Sequence, residues 1–242
     1  MPKPMTPSEF LVAASVAPEV FELRPDYRAM LVVIEGLTPA ITTQAGDGTV
    51  ATLIAEAETH ATELLADTPV DELPHIAAWR EAYRAFGAKP QRTRNSLEAL
   101  TRRAAQGLPR VNALTDVYNA TSVLHQIPFG GEDLARYQGA ARLARASGTE
   151  AFDTVAGREP ATEHPEDCEV VWRDDAGVTC RRWNWRQGRR TGLSDDTQTA
   201  FFILDALAPA SDAEVEAAAD ALVEALRGLG SEVRASRRLI GA

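Results

Sequence analysis

The residues best suited to chemistry stand on one stretch, VNALTDVYNATSVLH, Val111 to His125. Helical spacing puts Asn112, Asp116 and Asn119 at i, i+4 and i+7, on one face, with Leu114, Val117, Thr121 and Leu124 on the apolar face. Asparagine is a poor helix former, so a merely solvated stripe would be better served by Glu or Lys. Carboxamides donate and accept together, which suits them to orienting a polar ligand. A stripe facing water is the plain alternative. Shortly downstream, Gly130–Gly131 precedes Glu132–Asp133. Paired glycines let the backbone approach a ligand and aim N–H groups at it. A tight turn with a capping acid is the structural alternative.

A second concentration is CRRWNWRQGRR, Cys180 to Arg190, with five arginines, two tryptophans and no acid. As a strand it alternates. Arg181, Trp183 and Trp185 take one face; Cys180, Arg182, Asn184 and Arg186 take the other. The tryptophans are expected on the core, and Arg182 and Asn184 toward a ligand. An edge strand whose arginines discourage aggregation is the competing reading. A further basic run, KPQRTRNSLEALTRRAAQGLPR, sets Lys89, Arg92, Arg94, Arg102, Arg103 and Arg110 against Glu98 alone. Two such clusters on a chain of net charge −10 point to a phosphate-binding surface, against the alternative of a solvated helix face.

These residues need elements to hold them. Tyr27 to Leu37 reads as a buried strand. Helical spacing covers Thr49 to Ala66 and Asp71 to Phe86, the latter capped by Thr68 or Asp71 and stopped at Gly87. Asn95–Ser96 caps a third helix, ended by Gly107–Leu108–Pro109. Val111 to His125 is the fourth, and Phe129 to Asp133 follows as a loop. Arg142 to Ala146, Cys168 to Arg173 and Val178 to Trp185 read as strands. Glu150 to Asp167 is the most linker-like stretch. Thr199 to Ala206 is apolar, and periodicity does not decide between strand and helix. Ser211 opens a helix over Asp212 to Leu229, stopped at Gly230, before a loose basic tail. The mixture lacks strict strand–helix alternation. It predicts a layered α/β (α+β) domain, a mixed sheet with flanking helices, occupying residues 1–242 as one unit.

The bulk numbers narrow the function. A chain of 242 residues, 45% hydrophobic and 25% charged, supports a buried core, and its acidity argues against general coating of nucleic acid. No apolar run has signal-peptide or membrane-spanning length, so a cytoplasmic protein is expected, with no membrane partner. Cys168 and Cys180 flank a hairpin turned at Asp174 to Gly177. In the expected register they face Trp183 and Val171 and stay reduced. The four histidines are scattered. No nucleophile elbow, P-loop, dinucleotide fingerprint or zinc spacing is present.

The segment RRAAQGLPRVNALTDVYNATSVLHQIPFGGEDL resembles the editing module of the phenylalanyl-tRNA synthetase beta subunit, the B-three/B-four domain. Arg102–Arg103, Gly107, Pro109, Asn112, Asp116, Asn119 and Pro128 carry the pattern in order. CRRWNWR, Thr191 and DDTQTAFFIL are similar to free-standing members of that family. The likeness spans residues 89–207; residues 1–88 would complete the domain, and 211–230 would add a helix. In the synthetase the module hydrolyses tyrosine wrongly esterified to phenylalanine tRNA. Free-standing relatives clear mischarged tRNA in trans, including tRNA carrying arginine-like non-protein amino acids.

The resemblance therefore implies an aminoacyl-tRNA deacylase without cofactor or metal. Its partners would be the tRNA acceptor end, the amino-acid moiety and a synthetase. Asn119 matches the helix asparagine and would anchor the amino acid or terminal adenosine. Backbone N–H groups of Gly130 and Gly131 would serve as oxyanion donors, and the neighbouring ribose hydroxyl would shuttle the proton. Asn112, Tyr118, Arg182 and Asn184 would surround the substrate. Glu132, Asp133 or Asp116 would neutralise a cationic side chain, Asp116 equally being a capping acid. Arg102, Arg103, Arg181 and Arg186 would meet tRNA phosphates. Three departures weigh against tyrosine editing. Tyr118 replaces a threonine, Gly130 replaces the site-loop histidine, and no glutamate falls around Phe201 to Leu204. A non-catalytic module that binds an amino acid or RNA is the alternative.

Overall fold

The two most apolar runs of the chain, β2 (Arg28–Glu35) and β10 (Thr199–Ala206), pair antiparallel from Glu35 against Thr199 to Arg28 against Ala206. Ala200, Phe202 and Leu204 point into a layer of helices; Phe201 and Ile203 point into a second sheet. A strand buried on both faces loses its alternating pattern. That is why periodicity left this run undecided. β11 (Arg234–Ile240) and β3 (Phe129–Asp133) complete an antiparallel sheet in the order β11-β2-β10-β3. This computed structural model describes residues 5–38, 48–157, 159–230 and 232–241. Residues 1–4, at the start of the sequence in which no apolar run of signal-peptide length is found, lie outside it.

The second sheet holds β1 (Ser15–Val16), β4 (Arg142–Arg145), β5 (Phe152–Ala156), β6 (Glu159–Glu163), β7 (Val170–Asp174), β8 (Gly177–Arg181) and β9 (Arg186–Gln187). Its order is β1-β4-β7-β8-β5-β6, with β9 on β8. β1 runs parallel to β4 and β5 parallel to β8; the remaining pairs are antiparallel. The mixed sheet is thus present. So are the flanking helices. α3 (Gly48–Asp67), α6 (Ala113–His125) and α7 (Asp212–Arg227) supply buried residues to the helical face of the first sheet. α1 (Pro7–Ala13), α2 (Pro18–Leu23) and α4 (Pro74–Ala85) send Phe10, Val20, Trp79 and Tyr83 into the core between the sheets. α5 (Ser96–Ala104) is capped by Asn95, whose side chain accepts from the Glu98 N–H at 2.8 Å.

Several boundaries differ from expectation, each for a physical reason. The loop Phe129 to Asp133 is a strand, because β10 pairs along its length and overrides the low strand preference of glycine. The linker-like stretch holds the β5–β6 hairpin, anchored by Phe152 against Val171 and Val178. The loose tail is β11, with Leu239 packed toward the helices and Ile240 toward the other sheet. The helix expected from Asp71 is two pieces, a 3-10 turn over Val70–Glu72 and then α4, with Pro74 in its first turn. The strand expected to reach Trp185 ends at Arg181, since Arg182 and Trp183 adopt left-handed φ of 48° and 67°. Cys180 pairs with Trp172 beside a bulge, not with Val171, and both cysteines are free thiols.

Candidate functional site

A cavity of about 240 Å³ opens beside β3 between the two sheets. One wall is α5, through Ser96, Ala99 and Leu100. Tyr118 and Asn119 reach it from α6, Asn184 and Trp185 from the turn after β8, and Asp205 from β10. Asn119 is 8% exposed, and its carboxamide makes no hydrogen bond among the described residues. Asn119 lines the cavity, where a ligand can pair its carboxamide.

The other two members of the expected stripe do different work. Asn112 is the N-cap of α6, not part of its face, and accepts from the Thr115 N–H at 2.9 Å. Asp116 is buried and accepts from the Val111 N–H at 2.8 Å. Burial pushes its carboxyl up, against the pull of that N–H. Both residues fix the entry of the chain into α6 and so the position of Asn119. Neither lines the cavity.

The cavity's acid is one that sequence reasoning passed over. Asp205 is 2% exposed; it accepts from the Tyr27 hydroxyl at 2.5 Å and from Asn184 Nδ2 at 3.4 Å. Asn184 Oδ1 in turn accepts from the Tyr83 hydroxyl at 2.9 Å. Burial lifts the Asp205 carboxyl to about 7, against the pull of the Tyr27 and Asn184 donors. The Trp172 indole N–H lies near it without meeting hydrogen-bond geometry. The available signal was a lone acid inside FFILDALA, where a doubly buried strand tolerates none without partners.

Neither Glu132 nor Asp133 lines this cavity. Glu132 is fully buried, bonded by the Tyr137 hydroxyl and by Thr191 Oγ1 at 3.2 Å, and burial lifts it to about 7. Asp133 accepts from the Ala135 N–H at 3.0 Å and from Thr197 Oγ1 at 3.2 Å. Neither is placed to neutralise a ligand in the cavity. The glycines before them are there for space. A Cβ on Gly131 would stand 2.8 Å from Phe202 and 2.9 Å from both Leu193 and Tyr118. A Cβ on Gly130 would stand 3.1 Å from Gln187 Nε2.

Of the pair's two N–H groups, only that of Gly130 is committed to the sheet. The Asp133 N–H turns away from β10 to the Thr191 carbonyl at 2.7 Å. On an antiparallel ladder alternate residues share a direction, so the Gly131 N–H also turns away and the Gly130 N–H turns into the sheet opposite Ile203. Gln187 Nε2 donates to the Gly131 carbonyl at 3.0 Å, and the Tyr118 hydroxyl reaches Gln187 Oε1 at 3.4 Å. Gln187 lines the cavity and was not singled out from the sequence.

The arginine-rich stretch is neutralised inside the protein. Arg181, 6% exposed, holds both oxygens of Glu169 at 2.9 and 2.8 Å and Glu163 at 2.9 Å. Arg182 pairs with Glu166 at 3.1 Å and Glu169 at 3.4 Å, bonds Thr93, and does not line the cavity. Arg186 pairs with Glu163, Arg189 with Asp153 and Arg190 with Asp174. Trp183 is fully buried, edge-on to Tyr27 and Trp79. Trp185 lines the cavity with the Arg182 and Arg186 guanidinium groups 4.7 and 4.8 Å from its ring. The acids lie 12 to 36 residues from their partners, so only the folded hairpins bring them together. Arg102 pairs with Glu98 at 3.1 Å. Lys89, Arg92, Arg103 and Arg110 are exposed and form no salt bridge among the described residues. Arg103 lies one turn beyond the cavity-lining Ala99 on α5.

No helix among the described residues is long and apolar enough to cross a membrane. Those residues also contain no group of three or more His, Cys, Asp or Glu that could hold a metal ion. A family model described as B3/4 domain matches residues 78–232. No curated protein gives a match. Among solved structures, an N-terminal fragment of the phenylalanyl-tRNA synthetase beta-subunit from Pyrococcus horikoshii is similar at 12% identity, with a TM-score of 0.45. The alignment covers 95% of this chain and 54% of that one, so the chain spans about half the fragment's length.

Proposed function

The chain belongs to the B3/4 domain family, and from that membership we propose that it hydrolyses an amino acid esterified to tRNA, acting in trans as a free-standing deacylase. The observation that carries the reading is Asn119, a buried carboxamide with no protein partner that lines a cavity of about 240 Å³. That volume lies just below the range of drug-sized ligands and suits an aminoacyl group. The adenosine that carries it would lie at the mouth, beside Trp185 and α5. An aminoacyl ester is already activated. The site must hold its carbonyl, stabilise an oxyanion and place one water. Asn119 would anchor the ester end, and Asp205 with Asn184 would face the amino acid.

The RNA would run over Lys89, Arg92, Arg103 and Arg110, which are exposed and form no salt bridge among the described residues. Arg181 and Arg186 are less suited, because Glu163 and Glu169 already hold them. This reading entails the cytoplasm, where tRNA is charged, and admits a synthetase as partner. The test is a deacylation assay on a panel of correctly and wrongly charged tRNAs. Turnover of at least one ester above the buffer rate, lost in Asn119→Ala, is expected. Tight binding of an amino acid without turnover on any member would replace the hydrolase with a binding module. Neither binding nor turnover would end the reading.

A further inference from the structure

We propose that Gln187 donates the hydrogen bond that stabilises the oxyanion in this cavity, a role that the Gly130 N–H, held in the ladder with β10, does not fill. The inference rests on the hydrolase reading and assigns that reaction a residue. Four observations lead to it. The Gly130 N–H, the one beside the cavity, turns into the ladder with β10. Gln187 crosses from the second sheet and sets Nε2 over Gly130, where a Cβ would come within 3.1 Å of it. One Nε2 hydrogen goes to the Gly131 carbonyl at 3.0 Å, and the other has no partner among the described residues. The amide cannot be reversed, because Oε1 and the Gly131 carbonyl oxygen would then be two acceptors in contact.

Tyr118 completes the arrangement as a positioning residue. Its hydroxyl points at Gln187 Oε1, 3.4 Å away, which polarises the amide and strengthens Nε2 as a donor. Asn119 stands next to Tyr118 on α6 and offers a second carboxamide to the same cavity. Water oxygen bonds to the ester carbonyl carbon, and the carbonyl π pair moves onto oxygen, where the Gln187 N–H meets it. On collapse the carbon–ribose oxygen bond breaks. Its electron pair leaves with the ribose oxygen, which takes the proton the water gave up through the neighbouring hydroxyl. The products are the free amino acid and uncharged tRNA, and no protein group changes covalently.

Two sets of adenosine derivatives test this, each carrying alanine, phenylalanine or lysine. One set has a planar 3′-amide; the other has the matching tetrahedral, anionic 3′-phosphonate. The parent protein should favour a phosphonate over its amide. Gln187→Met, close in shape, should lose about 10²-fold on the phosphonate and at most about threefold on the amide. Gln187→Glu should lose more on the phosphonate than Gln187→Met, and Tyr118→Phe should lose less. Equal loss on both sets, or no loss, overturns the assignment to Gln187 and leaves the hydrolase reading standing. Failure of every derivative to bind the parent overturns both.

Discussion

Asn119 and Asp205 are buried polar groups with opposite situations. Asn119 lacks a partner, so its removal should cost the folded protein little. Asn119→Ala should lower kcat/KM about 10²-fold or more, with a melting temperature within a few degrees of the parent. A large fall in melting temperature without loss of activity would make it a structural residue. Asp205 and Glu132 are both lifted to about 7 by burial, with Tyr27 and Asn184 opposing at Asp205 and Tyr137 and Thr191 at Glu132. Between the ordinary carboxylate range and about 7, the folded protein keeps protons that the unfolded chain has released. The stabilisation is therefore complete at low pH, falls as pH rises through about 7, and is flat above. Asp26 and Glu150, whose carboxyls are held low, act in a separate window at more acidic pH. Burial holds the His75 and His125 imidazoles low, and they act with the opposite sign in part of the same window, so the contribution of the two carboxyls is read as a difference: from pH 5 to pH 8 the melting temperature of the double variant Asp205→Asn/Glu132→Gln should fall less, or rise more, than the parent's. Parallel parent and variant profiles across this window would contradict the burial of neutral carboxyls.

At the scale of elements, β3 and the hairpins around Glu169 decide where the site groups stand. Gly131→Ala forces a methyl against Phe202, Leu193 and Tyr118, so it should destabilise by about 1–3 kcal/mol. Gly130→Ala meets only the end of the Gln187 side chain, so it should perturb activity more than stability. Chemical denaturation and assay of both variants separate the two. Glu169→Gln would strip the buried Arg181 of its bidentate partner. Breaking a buried pair costs about 3–5 kcal/mol, and a loss under about 1 kcal/mol would show that Glu163 alone suffices. These dependencies explain what the sequence revealed. Asn119 was legible because amide residues are rare on a helix that has no use for them. Strand β2 and the Asn95 cap were legible from local pattern alone. The fate of the arginines was not, since Glu163, Glu166 and Glu169 approach them only after β5 to β8 have paired. Gln187 was invisible for the same reason: its partner, the Gly131 carbonyl, belongs to the other sheet.

Across the whole molecule, β2 from the first part of the chain lies between β10 and β11 from the last part. The interleaving supports the proposal that the chain works as one unit. Net charge is −10, yet exposed positive charge outside the salt bridges among the described residues gathers around α5, at Lys89, Arg92, Arg103 and Arg110. Arg92→Glu with Arg103→Glu should weaken tRNA binding and flatten its dependence on salt. Arg186→Ala should leave that binding near the parent's value. The reverse pattern would return the RNA to the arginine-rich turn. The most direct measurement of the central claim is a crystal structure with a non-hydrolysable 3′-aminoacylamino-adenosine. The account predicts the aminoacyl group inside the cavity beside β3, with the Asn119 carboxamide within hydrogen-bond distance of the ester mimic. A derivative seated elsewhere, with Asn119 still unpaired, would contradict it.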